Sequence, residues 1–250
     1  MRRTPKKDRA TIPDRPQRKP SAAARAPLTR ERIAQAALEL IDAEGLEGCS
    51  MRRLGTRLGV EAMALYHHFP AKGQLLDAVM DLLIDEVQPP ARDSAPALER
   101  LRQCVRRYRG IAIRHPRAFQ LLAARRFNTE KTFAWYEDVL QLFAELGLDA
   151  AQSARWFRLL GGFVSGAGMA EVASRERIAD ATPLRLEHAP DQIPFPQVRA
   201  VAPHLQVQNL DAVFEFGLTV LFDALASYLA ENASRPSPIT GGAARPEPGG

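Results

Sequence analysis

A chain of 250 residues, 46% hydrophobic and 25% charged, has enough apolar surface to bury a substantial core and is globular rather than fibrous or wholly disordered. Its two cysteines, Cys49 and Cys104, exclude a disulfide framework and lack metal-ligand spacing, so neither a metal nor a cofactor is expected. The net charge of +5 sits at one end: residues 1–30 hold ten Lys/Arg against two Asp, which leaves 24 basic and 27 acidic residues elsewhere.

Segment 1–27 therefore reads as a disordered basic tail, rich in Pro and Ala and too poor in aromatics to offset its ordering entropy. No apolar stretch follows its charges, and Pro5, Pro13, Pro16 and Pro20 break any amphipathic transit helix, so no export is expected. No continuous run of about 18 apolar residues occurs, and Leu159 to Ala170 is short and Gly-rich. The expectation is a cytoplasmic, nucleoid-associated protein without a membrane partner.

Strand alternation is absent while apolar residues three and four apart recur from Ile33 onward, which makes the fold class all-α. Thr29 caps a first helix with Ile33, Ala36, Ala37, Leu40 and Ile41 on one face, ending at Gly45. Ser50 caps a short second helix carrying Met51, Leu54 and Leu58, and Gly59 stops it where the turn needs positive φ. A third helix runs from Ala62 to His68 with Leu65 and Phe69 inward, ending before Pro70. Lys72 to Val87 is a longer helix, closed by Pro89 and Pro90.

Further helices are expected at Ala97 to Arg114, Arg117 to Phe127, Thr129 to Gly147, Ala150 to Arg175 and Leu210 to Glu231. Asp180 to His204 carries five prolines and reads as a long loop, and the end from residue 233 as a second disordered tail. The resulting division is a tail at 1–27, a helix-turn-helix unit at 28–75, a helical body at 76–232 and a tail at 233–250.

The second and third helices, joined across Gly59, Val60 and Glu61, have the length and apolar spacing of a DNA-binding helix-turn-helix, although a structural helical hairpin has the same periodicity. The run from Leu28 to Leu83 narrows this. Its Ala-Leu-Glu-Leu stretch, the Gly-Leu-Glu-Gly connection, Leu54 and Leu58 on a basic helix, Gly59-Val60, Leu65-Tyr66-His67-His68-Phe69 and Lys72 closely resemble the N-terminal domain of TetR-family repressors. Thr129-Glu130-Lys131, Gly161 to Gly166 and Phe214 to Leu218 are similar to tetracycline-repressor-like C-terminal domains.

The resemblance implies a DNA-binding regulator, most simply a repressor that binds a palindromic operator in double-stranded DNA as a homodimer and is released by a small-molecule effector. It implies that Ala62, Met63, Ala64 and Tyr66 face the bases. Arg52, Ser50 and Met51 open the second helix against a base or phosphate, and Tyr66, His67, His68 and Lys72 clamp the backbone. Tyr66 also fits a core-edge aromatic, and His67-His68 a solvated helix end.

The tetracycline repressors carry polar residues where this chain has Ala62 and Ala64, so a different operator is expected. The resemblance further implies a dimer through Ala150 to Arg175 and Leu210 to Glu231, with Gly161, Gly162, Ser165, Gly166, Ala167 and Gly168 allowing close approach. Phe119, Leu122, Phe127, Trp135, Phe143, Trp156, Phe157 and Met169 are candidate effector-pocket residues, with Arg125 and Arg126 to orient an acidic ligand. Ala123 stands where the tetracycline repressors have a magnesium-binding histidine, which argues against magnesium-tetracycline. The competing readings are an activator or architectural DNA-binding protein and, on Cys104 with His115 or His67-His68 with a carboxylate, an all-α enzyme. No phosphate loop or nucleophile elbow accompanies the last, and the expectation is a protein that is not an enzyme.

Overall fold

A computed structural model describes residues 27–124, 129–179, 195–204 and 209–234. The basic tail before Pro27, Arg125, Arg126, Phe127, residues 180–194 and the tail from 235 lie outside the described residues, as does the Ala123 side chain. Among the described residues there are ten α-helices and no strand: α1 Arg30–Gly48, α2 Met51–Leu58, α3 Ala62–His68, α4 Lys72–Asp85, α5 Ala97–Arg114, α6 Pro116–Ala124, α7 Glu130–Glu145, α8 Ala150–Ala179, α9 Pro196–Val201 and α10 Leu210–Ala233.

The local chemistry explains the boundaries. Thr29 accepts a hydrogen bond from the Arg32 N–H at 3.2 Å, meeting one of the donors that open α1. Gly45 takes φ 78° and ψ 174°, so the regular helix stops where expected, and the chain then adds a kinked further turn to Gly48. Thr129 and Thr132 form a reciprocal capping pair at the start of α7, each side-chain oxygen accepting from the other residue's N–H at 3.1 Å. The expected loop across Asp180 to His204 is corrected in its described part: α9 begins at Pro196, because the first helical position has no N–H to satisfy and proline's fixed φ suits it.

One apolar core runs from Ile33 to Leu225. Through it α1 packs on α4 and α6, while α5, the central helix of the body, packs against α6, α7 and α8. The last helix, α10, is fastened by a row of arginines one helical face of α5 presents: Arg106 grips Glu215 through two nitrogens at 3.0 and 2.7 Å, and Arg109 reaches Glu171 at 2.7 Å and Asp211 at 2.6 Å. Arg102 and Arg109 lie over the rings of Phe222 and Phe214 at 4.8 and 4.6 Å. These contacts hold one side of α10 against the body.

The other side is bare. Val213, Phe216 and Val220 are exposed, Phe216 by 72%. By length and composition α10 is apolar enough to cross a membrane, although Asp211, Glu215 and Asp223 interrupt its apolar run in the sequence.

Candidate nucleic-acid interface and effector cavity

The helix-turn-helix is built by two glycines and a cap. Ser50 Oγ accepts from the Arg53 N–H at 3.3 Å and starts α2. Gly59 closes it in the left-handed region at φ 67°, ψ 36°, where a side chain would be strained. The Val60 N–H then bonds the Gly55 carbonyl at 2.9 Å, bringing the turn so close that a Cβ on Gly55 would stand 2.8 Å from the Val60 oxygen. This approach sets the angle between α2 and α3, which Leu54, Leu65 and Phe69, all fully buried, lock from below.

On α3 the side chains of Met63, Tyr66 and His67 share the outward face, with Met63 67% and Tyr66 42% exposed. Ala62, Ala64 and His68 are half-buried beside them. Arg52 and Lys72 are exposed, the Lys72 ammonium donating to the Leu46 carbonyl at 3.5 Å. Met51 is the exception among the expected DNA contacts: its side chain is buried, because positions 51 and 54 fall on the core face of α2. Only its backbone remains available at that helix start.

Arg53 and Arg57 are committed to Glu44 and Glu39 of α1, whereas Arg52 takes part in no such pair among the described residues. Arg30, which sequence reasoning missed, covers the Phe69 ring at 4.1 Å and donates to the His68 carbonyl. It ties the start of α1 to the end of α3 across 38 residues, a contact no local pattern announces.

The helix-turn-helix unit joins the helical body at a polar junction. The His115 ring lies between Asp42 of α1, at 2.6 Å from Nδ1, and Glu86 at the end of α4, at 3.1 Å from Nε2. Arg114 also binds Glu86, at 2.5 Å, and Arg117 donates to the Asp42 and Ala43 carbonyls. On the other flank of α4, Thr129 donates to Asp81 at 2.6 Å and Lys131 pairs with Asp85 at 2.6 Å. Burial pushes the Asp81 carboxyl up, and the Thr129 bond opposes that shift.

A cavity of about 180 Å³ opens inside the body between α5, α6, α7 and α8. Of the expected pocket residues, Leu122, Trp135, Phe143 and Phe157 line it. Phe119 is buried behind it, edge-on to Tyr108 at 5.7 Å and against Gly168. Trp156 instead meets Tyr228 of α10 at 5.7 Å, and Met169 is exposed. The sequence reading missed Tyr108, Tyr136, Cys104, Val139 and Ser165, which complete much of the wall.

The wall is aromatic, with Tyr108 stacked on Trp135 at 6.4 Å and Tyr136 edge-on to Phe157 at 5.4 Å. Burial raises both tyrosine hydroxyls, Ser165 partly countering it at Tyr108. Burial also pushes the Cys104 thiol up to about 11. The Trp135 indole N–H leaves the cavity to donate to the Val87 carbonyl, just beyond α4, at 3.1 Å.

The small-residue run of α8 serves three faces rather than one. Gly161 and Ser165 line the cavity. Gly168 makes room for Phe119, whose ring a Cβ there would strike. Gly162 faces outward, forming with Leu159, Phe163, Phe216, Gly217 and Val220 an apolar groove between α8 and α10.

These features agree with what the chain is similar to. Residues 33–79 match the tetR family of bacterial regulatory proteins, and residues 90–229 match the tetracyclin repressor-like C-terminal domain. A transcriptional repressor of Streptomyces coeruleorubidus, DrrR1, is 30% identical over 240 residues, covering 88% of this chain and 86% of its own. The class A tetracycline repressor of Escherichia coli is 30% identical over 207 residues, covering 78% of this chain and 88% of its own. The crystal structure of the Streptomyces coelicolor TetR family protein ActR in complex with actinorhodin superimposes with a TM-score of 0.71 at 27% identity, over 83% of this chain and 99% of that one.

An all-α protein with a capped helix-turn-helix and a cavity in its helical body has, with these relatives, the build of a DNA-binding regulator with a ligand-binding C-terminal domain. The chain belongs to the TetR family of bacterial transcriptional regulators.

Proposed function

We propose that this protein represses transcription as a homodimer on a palindromic operator and is released when an uncharged, flat aromatic compound enters the cavity. The division of labour follows the sequence expectation, with residues 28–75 reading DNA and 76–232 sensing and dimerising. The observation that carries the coupling is the Trp135 indole, which is at once cavity wall and hydrogen-bond donor to the Val87 carbonyl at 3.1 Å. Displacing that ring moves the end of α4, and α4 begins four residues after the recognition helix α3 closes. An effector that prefers the displaced arrangement lowers operator affinity by its differential binding.

Ser50, Arg52, Tyr66, His67, His68 and Lys72 supply hydroxyl, guanidinium, imidazole and ammonium donors around α3, the groups that position a duplex by its phosphates. The effector class rests on the wall itself: Tyr108, Trp135, Tyr136 and Phe157 present ring faces and edges, Ser165 and the tyrosine hydroxyls a few polar groups, and no charged side chain is among the described lining residues. ActR of Streptomyces coelicolor, 27% identical, is likewise solved in complex with a small molecule, actinorhodin. Ala123 at the position of the tetracycline repressors' metal histidine favours an effector that needs no magnesium.

Dimerisation through the apolar groove of α8 and α10 covers Phe216 and Val220 and explains why so apolar a helix is compatible with a cytoplasmic DNA-binding protein. A second copy places a second α3 about 34 Å away, one DNA turn. The protein acts by binding rather than catalysis. Cys104 is held as the thiol, a weak nucleophile, and His115 is occupied by Asp42 and Glu86.

The test is to select bound duplexes from random DNA, then titrate the complex with planar polycyclic aromatics identified as binders by calorimetry. Release by at least one of them, at least about tenfold in affinity, is expected. Cavity binders that all leave operator affinity unchanged refute the coupling.

A further inference from the structure

We propose that the operator is read on α3 chiefly by packing thymine methyl groups against Met63, and that Met63 is the specificity-determining residue of this helix. The inference rests on the DNA-binding reading above and goes beyond it to the chemistry of the bases recognised.

The first turn of α3 offers a duplex Ala62, Met63 and Ala64. None carries a hydrogen-bond donor, and the only acceptor among their side chains is a weak thioether sulfur. Direct readout of guanine, adenine or cytosine edges requires donors or strong acceptors, whereas the one apolar group that a base displays in the major groove of unmodified DNA is the C5 methyl of thymine.

Met63 is the side chain placed to meet it. It is 67% exposed, it lies on the same helical face as Tyr66 and His67, and its unbranched, polarizable chain adapts to the position of a methyl group. The half-buried Ala62 and Ala64 add no bulk to hold the helix away from the groove floor.

The surroundings argue against a protein partner for this exposed methionine. Among described residues 50–72 the exposed large hydrophobics are Met63 and Tyr66 alone, and Glu61, His67, Arg52 and Lys72 are exposed on the same helix-turn-helix unit. So narrow an apolar surface in a polar setting suits a single methyl rather than a protein face. Arg52, outside the ion pairs that occupy Arg53 and Arg57, is left to supply hydrogen-bond readout from α2.

The experiment uses the full chain. The duplex enriched from random DNA is resynthesised with each thymine replaced in turn by deoxyuridine, which lacks only the C5 methyl, and the affinity of each duplex is measured by fluorescence anisotropy for wild-type protein and Met63→Ala. For wild type, deoxyuridine at one thymine in each half-site is expected to weaken binding about fourfold, the effect of losing one buried methyl, and for Met63→Ala the two bases at that position are expected to bind alike.

Because residue 63 is on the surface, the variant should melt with wild type, which circular dichroism checks. Deoxyuridine tolerated at every position, or a thymine preference undiminished in Met63→Ala, overturns the inference while leaving the DNA-binding reading intact. Enrichment of no sequence at all overturns the DNA-binding reading and the inference with it.

Discussion

The reading head and the sensing body are made by different means. In the head, every residue assigned to DNA lies between Ser50 and Lys72, and its geometry follows from a cap, two glycines and three buried side chains that are close in sequence. In the body, the cavity draws on four helices from Leu101 to Ser165. Local turn chemistry therefore governs the first, and side-chain direction between packed helices governs the second. The junction at Asp42, Glu86 and His115, with the Trp135 bond to Val87, is where one becomes answerable to the other.

The sharpest way to separate the two regions is Gly55→Val. With a Cβ only 2.8 Å from the Val60 oxygen, the turn must open, and operator affinity should fall by about a hundredfold or more, on the scale of several lost base and phosphate contacts. Calorimetry with a cavity ligand should show little change, since the cavity shares no residue with the turn. Loss of both functions together would mean that head and body are not separable.

Trp135→Phe tests the link between them. It keeps a ring in the wall but removes the donor to a buried carbonyl, a change of about 1–3 kcal/mol visible as a lower melting temperature. The expected signature is that ligand still binds while its effect on operator affinity shrinks. Coupling of undiminished size would show that the signal travels by another path.

Lys72→Ala should weaken binding to all sequences alike and reduce the salt slope by about one, measured by titration at several salt concentrations. A changed sequence preference would move Lys72 from the rim to the reading surface.

The smallest effect belongs to the strap on α10. Hydrogen bonding to the Arg106 guanidinium holds the Glu215 carboxyl below the usual range. Its contribution is therefore fully present above the ordinary glutamate range and is lost as pH falls through the lowered value. Glu215→Gln should cost under about 1 kcal/mol at neutral pH, given its exposure and solvent screening, and thermal melts should show the difference vanish in acid.

The fold was legible because its punctuation is local. Thr29, Ser50, Gly59 and Pro70 each act within a few residues, so helix ends could be placed from sequence. Gly45 illustrates the limit: its backbone does leave the helix, yet nothing nearby prevents a further turn to Gly48.

Met51 stands among the expected DNA contacts and also on the apolar spacing of α2, and the period of that helix turns it inward with Leu54. In the body, α6 and α8 carry apolar residues on several faces. Composition could not tell that Leu122 and Phe157 face the cavity while Phe119 and Trp156 pack elsewhere. Nor could it tell that successive glycines of α8 serve a cavity, a ring contact and an outer groove. Arg30 on Phe69 and the arginine row of α5 on α10 depend on partners far away in sequence.

The coupling of cavity to operator is tested most directly by one titration: the selected operator duplex against the wild-type protein, with and without a saturating planar aromatic compound that calorimetry has placed in the cavity. Operator affinity should fall at least about tenfold, with binding to a random duplex unchanged. Equal operator affinity in both arms, with the cavity filled, would contradict the account.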